Sequence, residues 1–90
     1  MEGLFWKSYQ KFGELLRYLR HRERLTQRNL AATVGYSDAQ INRLEKGLRK
    51  PDPIVIAARF VPALSLEGEP HVAERLVQLA HEEREPEDAR

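Results

Sequence analysis

The stretch "LTQRNLAATVGYSDAQINRLEKG", residues 25–47, carries two helix starts and two helix stops in close succession. Thr26 is an N-cap residue, because its hydroxyl can accept a hydrogen bond from an otherwise unpaired amide in the first turn. Leu25 before it and Leu30 after it stand at the N′ and N4 positions of a hydrophobic staple. Leu30, Ala31 and Val34 face inward, and Gly35 stands where a left-handed residue ends a helix. The pattern then repeats almost at once. Ser37 caps a second helix, Gln40 completes a capping box at N3, and Tyr36 with Ile41 forms a second staple. Ile41 and Leu44 point inward and Gly47 ends the helix. Asp38, Ala39, Asn42, Arg43 and Lys46 are left on the outer surface with no packing role.

On the amino-terminal side, Phe12, Leu15, Leu16 and Leu19 fall at i, i+3, i+4 and i+7, one stripe of an α-helix. This helix precedes the pair and can extend back through "LFWKSYQ", where Ser8 is the first clear cap; Gly13 weakens it slightly. Trp6 is read as covering the core rather than stacking on a base. On the carboxyl-terminal side, "KPDPIVIAARF" opens a fourth helix with Asp52 at the N-cap and Pro53 at N1, where the missing amide is tolerated. Ile54, Ile56, Ala57, Phe60 and Val61 are expected to add core. Pro62 is expected to end or kink this helix near Val61. Pro70 starts a fifth helix with Val72, Leu76, Leu79 and Ala80 as its stripe. Beyond it "HEEREPEDAR" is acidic and poor in apolar residues, which reads as a fraying end or linker.

The fold class expected is therefore all-α, a compact bundle of about five short helices. A chain of 90 residues with 41% hydrophobic residues supports one such domain. We expect the domain to span 1–81, with a helix-turn-helix at 27–46 and an acidic tail or linker at 82–90. The net charge of +1 hides an asymmetry. Residues 1–50 hold eleven Lys and Arg against five Asp and Glu, and residues 51–90 hold four against nine. That division suggests a cationic face and an acidic end, although solvated helix faces would give the same count. No cysteine is present, which removes disulfides and thiolate metal sites and suits a reducing cytosol. No apolar run approaches the roughly 20 residues needed to cross a bilayer, and no signal core follows Met1. The expected location is cytoplasmic.

The segment from Phe12 to Ser65 resembles the phage-repressor, or Cro/XRE, type of helix-turn-helix domain. The resemblance rests on "LLRYLRHRERLTQRNLAATVGYS" for the first two helices and turn, "DAQINRLEKG" for the third helix, and "RKPDP" leading into the fourth. It implies sequence-specific binding of double-stranded DNA, as a transcriptional regulator or the amino-terminal DNA-binding domain of a larger one, in a domain type commonest in bacteria and phages. The major groove is about 12 Å wide, admits one α-helix and alone displays all four base-pair orientations distinctly, so a reading helix must be short, capped and anchored from behind.

The same resemblance assigns roles. Asp38, Ala39 and Arg43 lie at base-reading positions, with Gln40 and Asn42 as further candidates; arginine can bond guanine, alanine can touch a thymine methyl, and amides can pair with adenine. For Asp38, acceptance from cytosine and a favourable place in the first helical turn stand as equal readings. Gln27, Ser37, Lys46, Arg49 and Lys50 fall at phosphate-contacting positions, which give affinity without sequence information. Arg20 and Glu45 fall where the family often has a buried ion pair tying the first helix to the third. Arg24 departs from the pattern, occupying a position commonly glycine; either the turn is altered or the side chain adds a phosphate contact.

Nothing points to an enzyme. His21, His71 and His81 lack ligand spacing, no Gly-rich phosphate loop is present, and no nucleophile has a base at motif distance. Glu82, Glu83 and Glu85 read as an acidic helix end. No cofactor, metal or small-molecule site is expected. The partner expected is double-stranded DNA, with a homodimer on a two-fold symmetric operator as a further expectation and helix five (Val72, Leu76, Leu79) as its candidate surface, although packing of that stripe onto the chain's own core is the stronger reading. The alternative is a helix-turn-helix scaffold that binds protein through Leu4, Phe5, Trp6 and helix five. The length leaves no room for a separate sensing domain, so the chain reads as a minimal regulator or part of a longer one.

Overall fold

The computed structural model describes residues 2–84, and the expected acidic segment at 85–90, Glu85 included, lies outside them. The Leu4 side chain also lies outside the described set. A 3-10 helix, Glu2–Ser8, leads into α1 (Phe12–Arg22), α2 (Gln27–Val34) and α3 (Asp38–Glu45). The fourth helix, α4, runs over 53–63, and α5 is Pro70–Arg84. The described residues form no strand. Phe12, Leu15, Leu16 and Leu19 of α1 are fully buried against Leu30, Val34, Ile41 and Leu44 of α2 and α3. Ile56, Phe60, Leu64, Leu66, Leu76 and Leu79 close the core from the other side.

The short helices are held by their ends as much as by their faces. Thr26 Oγ1 accepts from Asn29 N at 2.9 Å while Asn29 Oδ1 accepts from Thr26 N, so α2 has a full capping box. Ser37 and Gln40 do the same for α3, at 3.1 and 2.8 Å. Together these four bonds fix where each helix begins, and Gly35, left-handed at φ 81°, turns the chain between them. At the end of α1 the Leu25 amide donates to Arg20 O and the Arg24 amide to His21 O, the double bond pattern of a Schellman stop. The residue this stop places in the left-handed region is Arg24, at φ 59°. The turn is therefore kept despite the departure from glycine, and the backbone strain stays in it.

Two long-range contacts join the first helix to the rest. Gly13 is buried where α1 crosses the end of α3, and a Cβ there would overlap the carbonyl oxygens of Leu44 and Glu45. The absent side chain is what allows the crossing. Lys11, the N-cap residue of α1, makes no side-chain cap. The carboxylate of Glu83, near the end of α5, fills that place by accepting from Phe12 N at 2.8 Å. Arg22 reaches Glu69 with both terminal nitrogens, at 3.1 and 2.8 Å, and ties α1 to the loop before α5. Burial acts to lower the Arg22 pKa, but the hydrogen bond and charge of Glu69, with Glu23, outweigh it and hold the guanidinium above its ordinary value.

Several expectations need correction. Ile54 is 78% exposed and Ala57 is exposed, so neither adds core. The buried positions of this segment are Pro53, Ile56, Phe60 and Leu64, spaced by three and four, which turns Ile54 and Ala57 to the far side. Pro62 does not stop the helix at Val61; the chain stays helical to Ala63. The turn before it, Ile56–Phe60, is a π-helix closed by a Val61 N–H bond to Ile56 O. That wider turn is a local distortion of the kind by which helices accommodate a proline. The fifth helix runs through Arg84, and Glu82 and Glu83 are helical, in keeping with their reading as an acidic helix end.

Candidate nucleic-acid interface

The third helix is fastened on its inner side by Ile41 and Leu44, both buried, and packs chiefly on α2 and α1. Its outer side presents Asp38, Ala39, Arg43 and Lys46, all exposed. None of these four side chains makes a hydrogen bond or ion pair among the described residues, so each is available to a ligand. Gln40 and Asn42 are half-buried and partly committed: Gln40 Oε1 serves the cap, and Asn42 Nδ2 donates to Gln27 Oε1 at 3.5 Å. Ser37 is exposed and its oxygen accepts from Gln40 N, which leaves its own proton free to donate.

Behind this face lies a polar chain through three helices. Arg20 and Glu45 form a nearly buried ion pair, their side chains 9% and 4% exposed. The guanidinium grips the carboxylate in a two-pronged bond through Nε and Nη2, and Nη1 donates to Leu25 O at 2.8 Å. Glu45 Oε1 also accepts from Gln27 Nε2 at 3.1 Å, and Gln27 in turn receives Asn42. Arg20 thus connects the stop of α1, the start of α2 and the end of α3. Because both charges are shielded from water and paired, the arrangement fixes the angle at which α3 is presented.

Lys46 follows the last helical residue of α3, and Arg49 and Lys50 stand exposed in the next loop. The Arg49 guanidinium lies 5.5 Å from the centre of the Tyr36 ring, which places it near the start of α3. Of the loop cations, Arg49 is thus brought to the start of α3. The histidines do not gather: His21, His71 and His81 are exposed, and among the described residues no three His, Cys, Asp or Glu are grouped to hold a metal ion. No described helix is long and apolar enough to cross a membrane.

Val72, Leu76 and Leu79, the candidate partner surface on α5, are buried in the chain's own core, the stronger of the two readings of that stripe. Phe5 and Trp6 belong to an amino-terminal layer: Phe5 rests against Tyr9 and Tyr18, and Trp6 packs against the core. Arg17, given no role by its sequence position, lines one depression together with Arg20, Gln27, Asn42, Glu45 and Lys46. The available signal was its place one turn before Arg20, since residues three apart share a helix face.

In comparison with known proteins, the model of a family described as "Helix-turn-helix domain" matches residues 11–84. No curated protein and no solved structure matches the chain.

Proposed function

The chain belongs to the helix-turn-helix domain family, and from that premise we propose that it binds double-stranded DNA sequence-specifically, with α3 in the major groove. The role is that of a transcriptional regulator in the cytoplasm, or of the DNA-binding part of a larger one, with the binding unit extending through Arg84. The observation that carries this reading is the outer edge of α3. Asp38, Ala39 and Arg43 are exposed and have no side-chain hydrogen-bond or ion-pair partner among the described residues, on a helix whose opposite edge is locked into the core. An arginine so placed can bond both O6 and N7 of guanine, and the alanine can meet a thymine methyl. Lys46, Arg49, Lys50, Gln27 and Ser37 supply the phosphate contacts that hold the helix in register. Gln40 and Asn42 contribute with the hydrogens their intramolecular bonds leave free.

Selection of bound duplexes from a random pool at physiological salt tests this. An enriched motif is expected, and two-fold symmetry in it would mean two copies on half-sites about one helical turn apart. A pool that remains flat, with binding that only tracks salt, would contradict sequence-specific recognition.

A further inference from the structure

The outward side of α4 and the adjoining edge of α5 enclose an apolar groove of about 490 Å³, lined by Ala57, Val61, Ala73, Glu74, Val77 and Gln78. Ala57 is exposed, and Val61, Ala73 and Val77 are half-buried at the margin of the core. Ile54, 78% exposed, stands three residues before Ala57 and prolongs the apolar line. One rim of the groove is acidic. Glu74, Gln78 and Glu82 are spaced by four along α5 and share a face. Glu74 has no hydrogen-bond or ion-pair partner among the described residues, and Glu82 accepts from Gln78 Nε2 at 3.2 Å. No lysine follows Lys50 in the chain. Arg59 and Arg75 donate to the carbonyl oxygens of Val34 and Tyr9, so neither is paired with the carboxylates of the rim.

An apolar groove between two helices accepts an amphipathic helix laid along it, and a charged rim selects the charge of that helix. We propose that this groove is the docking site for a single amphipathic helix of a partner protein, whose apolar stripe lies between α4 and α5 and whose lysines or arginines meet Glu74 and Glu82. A second copy of the chain fits worse on two counts. An interface between identical copies sets the same patch on both sides, so the carboxylates of one rim would meet those of the other. A stable interface also engages about 20–30 residues a side, several times what this groove offers. The residues that follow α5 do not suit it either, because Glu85, Glu87 and Asp88 carry the same sign as the rim. No residue of α1, α2 or α3 lines the groove, so it is separate from the outer edge of α3 and the proposal does not rest on the DNA-binding reading.

The test uses the intact chain and two synthetic helical peptides that share one stripe of leucine and alanine, one flanked by lysines and the other by glutamates. Each is titrated while the backbone amide resonances of the chain are followed by NMR. The lysine-flanked peptide is expected to bind several-fold tighter than the glutamate-flanked one, to shift amides of α4 and α5 rather than α3, and to weaken as salt is raised. Glu74→Lys is expected to remove that preference, and Ala57→Lys to weaken both peptides several-fold. Both positions are exposed, so the thermal midpoint is expected to stay at its original value. The proposal is overturned if neither peptide shifts α4 and α5, or if both bind equally through apolar adhesion alone. It is overturned too if the chain by itself sediments as a dimer that Ala57→Lys converts to a monomer, since a second copy would then be the occupant.

Discussion

Arg24 and Ser65 both hold left-handed backbone, at φ 59° and 60°, and each sits at a helix stop of the same bond pattern. An L residue with a side chain pays for that conformation in strain that glycine avoids, less the freedom glycine gains when unfolded. Arg24→Gly and Ser65→Gly are each expected to raise stability by about 0.5 to 1 kcal/mol, measured by urea unfolding. Arg20 is the opposite case. Arg20→Ala leaves Glu45 buried without its counter-charge and is expected to cost roughly 3 to 5 kcal/mol. Replacing both partners, as Arg20→Met with Glu45→Leu, is expected to cost less than the two single changes together, because no lone charge stays buried. A weakened DNA affinity in Arg20→Ala would then follow from a displaced α3, and a melting curve separates that from a lost contact.

Among the elements, the helix pair at 27–45 was legible because all its determinants are local. Thr26, Gly35, Ser37 and Gln40 lie within a few residues of the ends they define, and the apolar stripe of α1 likewise repeats within one helix. What was illegible is what depends on distant chain. Glu83 caps α1 from 71 positions away, and no spacing rule pairs a carboxylate with an amide that remote. Gly13 reads as a mild weakness in a helix until the crossing with α3 gives it a purpose. Ile54 and Ala57 look like core in composition, but the π turn and the burial of Pro53 and Leu64 settle which face of α4 points inward. Gly13→Ala is expected to destabilise by about 1 to 3 kcal/mol, since the overlapping atoms are backbone and have no rotamer to escape into. Glu83→Ala is expected to cost about 1 kcal/mol through loss of the α1 cap, read from the same denaturation curves.

For the molecule as a whole, the near-zero net charge conceals a division of labour. In the acidic half, Asp52 caps α4, Glu69 holds Arg22 and Glu83 caps α1, so three acids are employed in the fold. In the basic half, Arg17, Arg43, Lys46 and Lys50 have no such employment among the described residues. Cations spared from structural pairing, grouped around a helix with a free outer edge, are what a duplex requires of a reader. Phosphate-contacting and base-reading groups then differ in a measurable way. Lys50→Ala is expected to weaken all duplexes alike and flatten the salt dependence, whereas Arg43→Ala is expected to lose about 1 to 3 kcal/mol of discrimination at one position. The decisive measurement is the random-duplex selection repeated with Arg43→Ala. The account predicts that the enriched motif loses its preference at a single base pair, a guanine contact, and keeps the others. The same motif recovered unchanged from both proteins would contradict base reading by Arg43 on the exposed edge of α3.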